Sequence, residues 1–191
     1  MLYTLLVIIL VEHLQIGVKY YLNNNKKIRP INRLDRDTSG IVLFAKNEYI
    51  QELMVNNTKM KKEYIAITDG ILKEKFGTID LPIARKLGSI MEREVSEEGQ
   101  TAITHYEVIR LIQGKYALVK LELGTGRTHQ IRVHLSHIGT PILGDTLYGK
   151  ETDVITRQAL HAQKITFIHP ITQNNVEIIA PIPDDIANII N

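Results

Sequence analysis

The chain has 191 residues, with no cysteine, no tryptophan, and 23 Lys and Arg against 21 Asp and Glu for a formal charge of +2. That length fits one globular domain whose core needs no covalent staples, and 44% hydrophobic with 23% charged residues excludes a disordered chain. The missing thiols exclude disulfide frameworks, thiolate metal sites and cysteine nucleophiles. So even a charge balance leaves a nucleic-acid partner to be read from local clusters.

Residues 1–11 (MLYTLLVIILV) are almost wholly apolar and are closed by Glu12 and His13. The run is shorter than the roughly 20 residues that span a bilayer. It also lacks the basic flank and small-residue cleavage site of a signal peptide. It reads as a buried strand or helix, with no membrane partner and a cytoplasmic location expected. The polar run 23–27 is a surface loop after a candidate first helix. Residues 41–45, bounded by Gly40 and Lys46, predict a buried strand; 48–55 predict a short helix and 64–67 another strand.

From 77 to 100 the chain is polar and punctuated by glycine, and reads as an extended loop or hairpin arm carrying Arg85, Lys86, Arg93, Glu97 and Glu98. Two strands are predicted next, over 101–112 and 116–123. Residues 128–138 then predict a helix: Ile131, Leu135 and Ile138 share one face, and Gly139 stands where a C-cap would. Late strands are expected at 165–167 and 176–179. Many strands and few helices, without strict alternation, predict an α+β fold with a mixed, mostly antiparallel sheet and flanking helices. No linker splits the chain, so 1–191 reads as a single domain, and no leftover apolar stripe asks for a second copy.

Three segments carry chemistry. Residues 32–40 (NRLDRDTSG) set two carboxylates and two guanidinia beside a turn leading into the buried strand. Such a turn can hold an Asp at the mouth of a sheet, where burial and Arg partners set its ionisation; a solvated turn capped by Asp is the plainer alternative. The Asp37-Thr38-Ser39-Gly40 run is also similar to the active-site turn of aspartic proteases, but Arg36 stands where that chemistry needs an apolar residue.

Residues 124–134 (GTGRTHQIRVH) open a helix with two Arg, two His and a Gln. Free amides and arginines at a helix start attract phosphate or carboxylate, though the same residues suit an ordinary polar helix start. Of His129, His134 and His137 only the last two share a face, and no carboxylate or Cys sits at matching spacing, so no metal is expected. Hydrogen-bonded or surface histidines fit better. Finally, Lys59, Lys61 and Lys62 run into Tyr64. A basic run beside an aromatic suits a nucleic-acid backbone and a stacked base, or else a solvated loop with a Tyr at the core edge.

Together these segments resemble the RluA-type family of RNA pseudouridine synthases. Residues 29–46 (RPINRLDRDTSGIVLFAK) resemble its catalytic Asp motif, 62–66 (KEYIA) its Tyr-bearing strand, and 126–135 (GRTHQIRVHL) its basic motif. The runs 141–145 (PILGD), 147–149 (LYG), 160–162 (LHA) and 167–170 (FIHP) follow in the family's order, and 82–100 resembles its variable RNA-contacting loop. Asn32 stands where many members carry His, a change between two hydrogen-bonding side chains. No Lys-Pro turn precedes Arg29, so the amino-terminal portion is expected to be truncated or divergent, with no accessory RNA-binding domain.

The resemblance implies isomerisation of uridines in ribosomal or transfer RNA to pseudouridine, without metal or cofactor. It implies Asp35 as the essential carboxylate, Arg132 as its charge partner, and Tyr64 stacked on the flipped uracil. Arg33 would brace the gap left by that base, and Arg127, Lys59, Lys61 and Lys62 would contact phosphates. Asp37 would cap the turn, and His129 and His134 would hold the helix. The rival readings are an inactive RNA-binding protein on the same fold and a metal-dependent hydrolase.

Overall fold

The computed structural model describes residues 5–10 and 27–191; the candidate first helix lies outside them. The chain divides into two compact units, Met1–Lys62 with Ala162–Pro181, and Glu63–His161 with Ile182–Asn191. The fold class is α+β, as the sequence predicted.

In the first unit, β1 (Leu5–Leu10) pairs antiparallel with β2 (Ser39–Ala45). All seven residues of β2 are buried, the outcome expected of an unbroken apolar run covered on both faces. Ile41, Leu43 and Ala45 alternate onto one face and pack with Ile50, Met54, Ile165, Phe167 and Ala180. The predicted helix at 48–55 is two structures: α1 (Glu48–Glu52), capped by the Asn47 side chain accepting the Ile50 N–H at 2.9 Å, then a wide π-helical turn, Leu53–Asn57. That turn carries Met54 to complete burial. β9 (Leu160–Ile168) pairs antiparallel with β10 (Asn175–Ile179) from Lys164 onward.

In the second unit, β3 (Met60–Asp69, which belongs to this unit from Glu63 onward), β8 (Tyr116–Leu123), β7 (Ile103–Ile112) and β4 (Phe76–Asp80) lie in that order, each pair antiparallel. β4 corrects the sequence reading, which gave residues 77–80 to the arm. Only Ile79 of its five residues is buried, so the strand carries too little apolar alternation to be seen. What remains of the arm holds a two-stranded ribbon, β5 (Ile83–Arg85) with β6 (Arg93–Val95).

Helix α2 (Gln130–His137) ends as the sequence predicted. The C-cap Ile138 N–H bonds the His134 carbonyl, and Gly139 follows at φ +83°, the left-handed conformation glycine adopts at little cost. A short terminal helix, α3 (Asp184–Ile190), has no counterpart in the sequence reading. It buries Ile186, and Asp185 takes both Nε and Nη2 of Arg157 at 2.7 and 2.9 Å.

Gly40 fixes how β2 is entered. Its φ is +122°, and a Cβ there would sit 2.6 and 2.7 Å from the amide nitrogen and carbonyl carbon of Ala162. Gly88, at φ +78°, has nothing within 4 Å of such a Cβ. Gly40→Ala is therefore expected to destabilise by about 3 kcal/mol or more, and Gly88→Ala by only about 1 kcal/mol. Urea unfolding of the two variants checks the difference; equal losses would mean that backbone strain, not the clash with Ala162, sets the cost.

Candidate active site

The segment before β2 is strapped along it. The Ala45 and Leu43 backbone groups bond Arg29 O and Ile31 N, both at 2.9 Å. Asn32 continues the strap with its side chain, donating to the Ile41 carbonyl at 3.0 Å and accepting the Leu43 N–H at 2.8 Å. A carboxamide presents a donor and an acceptor side by side, as a strand backbone does. An imidazole has its two nitrogens on different edges of the ring and cannot close the same clasp.

Immediately beyond, the chain turns. The Thr38 N–H bonds the Asp35 carbonyl at 3.1 Å, and Asp37 lies at φ +67°. This is a four-residue turn with a left-handed third position, a conformation Asp tolerates better than most side chains. Asp35 opens the turn and is half-buried, while Thr38 and Ser39 are buried behind it. Arg33 is exposed. Arg36 Nε reaches Asp37 Oδ2 at 3.1 Å on the surface, where such a pair contributes little. Of the predicted basic run, Lys59 and Lys61 are exposed and Lys62 is half-buried, with burial lowering its pKa. Strand alternation sends Lys61 and Lys62 to opposite faces of β3, so the three lysines do not form one patch.

In the second unit, Tyr64 is buried on β3, opposite Leu121 of β8. Next to it Glu63 pairs with Lys120 at 2.8 Å. Helix α2 buries six consecutive residues, Gln130 to Leu135, three of them polar, and each polar one is matched. Arg132 forms a two-pronged pair with Asp145: Nε to Oδ2 at 2.7 Å and Nη2 to Oδ1 at 2.8 Å, with Asp145 fully buried. Asp145 Oδ1 also accepts the N–H groups of Leu147 and Tyr148 at 3.0 and 3.1 Å. The Arg132 guanidinium lies 5.1 Å from the centroid of the Tyr148 ring, a cation–π distance. Planar carboxylate and aromatic partners thus fix the plane of the fork.

Gln130 and His134 form a second network, each hydrogen used once. Gln130 Oε1 accepts from Thr125 Oγ1 at 2.8 Å and from the Arg127 amide at 2.9 Å. Its Nε2 donates to the Ile103 carbonyl at 2.9 Å and to Thr104 Oγ1 at 3.0 Å. The Thr104 hydroxyl then has its proton for His134 Nδ1, 2.9 Å away, and His134 Nε2–H donates to the Leu81 carbonyl at 2.9 Å. With the bonds running in this direction the imidazole is neutral and protonated at Nε2. Burial, the largest cause, lowers the His134 pKa from 6.5, against a smaller upward pull from the Leu81 carbonyl and weaker opposed effects of His137 and Asp80.

Tyr148 links these residues to the arm. Its hydroxyl accepts the Arg93 N–H at 2.8 Å and stands 2.8 Å from His129 Nδ1. Burial pushes the phenol's pKa up. Among the described residues no three His, Asp or Glu side chains are grouped as metal ligands, and no helix is long and apolar enough to cross a membrane.

Asp145, Thr104 and Tyr148 had no role in the sequence reading. A signal for Asp145 was available, since a carboxylate closing the apolar run 141–145 has to find a cation if it is buried.

The model of the RNA pseudouridylate synthase family matches residues 9–137. The chain belongs to this family. Its match encloses the Asp35 turn, Tyr64 and Arg132. Similar proteins include the uncharacterised RNA pseudouridine synthase YjbO of Bacillus subtilis, 45% identical over 84% of this chain and 57% of that protein. Ribosomal large subunit pseudouridine synthase D of Haemophilus influenzae is 38% identical over 84% of this chain and 54% of that one. Among solved structures, human RNA pseudouridylate synthase domain containing 1 superposes with a TM-score of 0.78 at 26% identity, over 93% of this chain and 80% of the other. The chain thus spans a little over half the length of these bacterial synthases.

Two tests follow from the networks. Asp145→Asn leaves the Arg132 guanidinium buried beside a neutral amide, and a loss of about 3–5 kcal/mol is expected in urea unfolding; a loss under about 1 kcal/mol would show that water reaches the pair. For His134, the unfolded chain takes up a proton as pH falls through 6.5, while the folded imidazole, its pKa lowered chiefly by burial, takes one up only at lower pH. Its contribution is therefore complete above pH 6.5 and declines below, at a slope approaching about 1.4 kcal/mol per pH unit. His134→Gln keeps a donor and an acceptor and should remove that part of the acid sensitivity.

Proposed function

We propose that the chain isomerises uridines in RNA to pseudouridine. The observation that carries this is the family match over residues 9–137, a span that includes Asp35, Tyr64 and Arg132. In that reaction the C1′–N1 bond of the nucleotide breaks, the uracil turns, C5 bonds to C1′, the C5 proton leaves and N1 gains one. No electrons are exchanged with a second molecule.

Asp35 would act at C1′, as nucleophile or by assisting cleavage. Tyr64 would stack on the extruded uracil and take part in removing the C5 proton. Arg132, its plane held by Asp145 and Tyr148, would keep Asp35 ionised. Arg33 would fill the gap left in the stack, and Arg127 with the exposed Lys59 and Lys61 would meet phosphates. The RNA would be ribosomal or transfer RNA in the cytoplasm, met by a monomer without cofactor or metal.

Release of tritium from RNA labelled at uridine C5 tests the assignment. Release from ribosomal or transfer RNA should survive a chelator, fall by about 10³-fold or more in Asp35→Asn, and fall about 10²-fold in Tyr64→Phe. Release untouched by Asp35→Asn would overturn the role of that carboxylate. RNA binding without release from the intact chain would leave a binding protein on the synthase fold.

A further inference from the structure

The ribbon of β5 and β6 pairs Ile83 with Val95, Ala84 with Glu94, and Arg85 with Arg93. Two arginines therefore stand directly opposite, with Cβ atoms about 4.5–5.5 Å apart, where like charges repel. Alternation sets both on the face that carries Ile83 and Val95. That face is turned inward: Ile83 is buried with Ala102 and Val133, and Val95 and Tyr148 pack against them. Past the apolar contacts the same face opens into a cavity of about 440 Å³, where Arg85 and Arg93 meet Arg127, Gln100 and Thr128.

Three features specify what the cavity accepts. Two of its guanidinia are oriented by neutral carbonyls: Arg93 Nη1 donates to Met91 O and Glu92 O at 3.2 and 2.9 Å, and Arg127 Nε to Thr101 O at 3.0 Å. These bonds fix the forks without cancelling their charge. Against three guanidinia the lining offers a single carboxylate, Glu98. The lining also contains no aromatic side chain, so it lacks the platform on which a base would stack. Three guanidinia lining one polar hollow suit the oxygens of a phosphate.

We propose that this cavity, at the root of the arm, is a phosphate subsite built by Arg85, Arg93 and Arg127, with the anion relieving the repulsion between the two paired arginines. Resting on the function proposed above, the phosphate is a backbone phosphodiester of the RNA substrate. Arg127 was assigned to phosphate by resemblance; Arg85 and Arg93 are added by the ribbon register and the cavity they share with it.

Two measurements test this. Thermal unfolding in inorganic phosphate, against chloride at matched ionic strength, should raise the Tm of the intact chain. Arg85→Gln and Arg93→Gln should each lose at least half of that rise, and Arg85→Lys should keep most of it. An equal rise in all four proteins would overturn the subsite. Binding of a single-stranded RNA across a salt series should weaken about 3- to 10-fold in Arg85→Gln, and the slope of log affinity on log salt should fall by about 0.7, the loss of one phosphate contact. A phosphate effect on Tm with an unchanged RNA slope would overturn the assignment to RNA and leave a site for free anion. Tritium release is scored separately. A phosphate effect without release keeps the subsite and removes the proposed reaction, and release without any effect of Arg85→Gln or Arg93→Gln does the reverse.

Discussion

The second unit is organised by one constraint: a helix that is buried along its whole first turn and a half must carry polar residues there. Gln130, Arg132 and His134 alternate with Ile131, Val133 and Leu135, and all six are buried. A buried polar group without a partner costs on the order of 1–3 kcal/mol, and an unpaired charge more. The surroundings therefore have to be built around α2. β7 supplies Thr104 and the Ile103 carbonyl, the start of the arm supplies the Leu81 carbonyl, and the loop after the helix supplies Asp145. Replacing the three polar residues with apolar ones could give an equally stable helix. What it would lose is direction, since each bond ties α2 to one segment at one angle.

The first unit meets a comparable demand through the backbone. β2 is buried on both faces, so the chain entering it has to satisfy its hydrogen bonds at once. Arg29 and Ile31 do so with main-chain groups and Asn32 with its amide. That leaves the next residues with a fixed starting direction. The left-handed Asp37 and the positive φ of Gly40 then determine the turn, and Asp35 sits at its head. The left-handed conformation costs Asp37 some free energy, while Gly40 adopts its positive φ at little cost and leaves room for the close approach of Ala162. The backbone that carries Asp35 is thereby fixed in direction.

How far this was legible in the sequence varied with how much each element depends on its own residues. The strand at 116–123 was read with its observed bounds, and the end of α2 was marked by Gly139, because apolar alternation and a glycine C′ residue are local signals. β4 was lost in the arm since one buried residue in five leaves no pattern, and pairing with β7 decides its conformation. α3 escaped for the same reason: its one buried residue, Ile186, is placed by contacts distant in sequence. At the site, the motif residues were visible by resemblance, but the partners were not. That Arg132 is gripped by Asp145, or that Gln130 and His134 share Thr104, follows only from which segments the fold brings beside α2. The three lysines show the converse: adjacency in sequence suggested a patch that strand alternation divides.

The net charge of +2 conceals this organisation. Acidic and basic residues nearly cancel over the chain, yet they are spent differently in different places. Arg132 and Arg157 are each gripped by both oxygens of an aspartate, Asp145 and Asp185. Arg93 and Arg127 are held by backbone carbonyls instead. A carboxylate partner offsets part of a guanidinium's charge and fixes its plane. A carbonyl partner orients it while leaving the charge to act on something else, at the cost of repulsion wherever two such groups face each other. The Arg85–Arg93 pairing in the ribbon is that cost in visible form, and it is tolerable in a short, partly solvated hairpin because water screens it until an anion arrives. Arg93 and Arg127, held only by carbonyls among the bonds described, therefore keep their charge for a ligand, whereas Arg132 shares its own with Asp145 and takes a fixed plane in exchange.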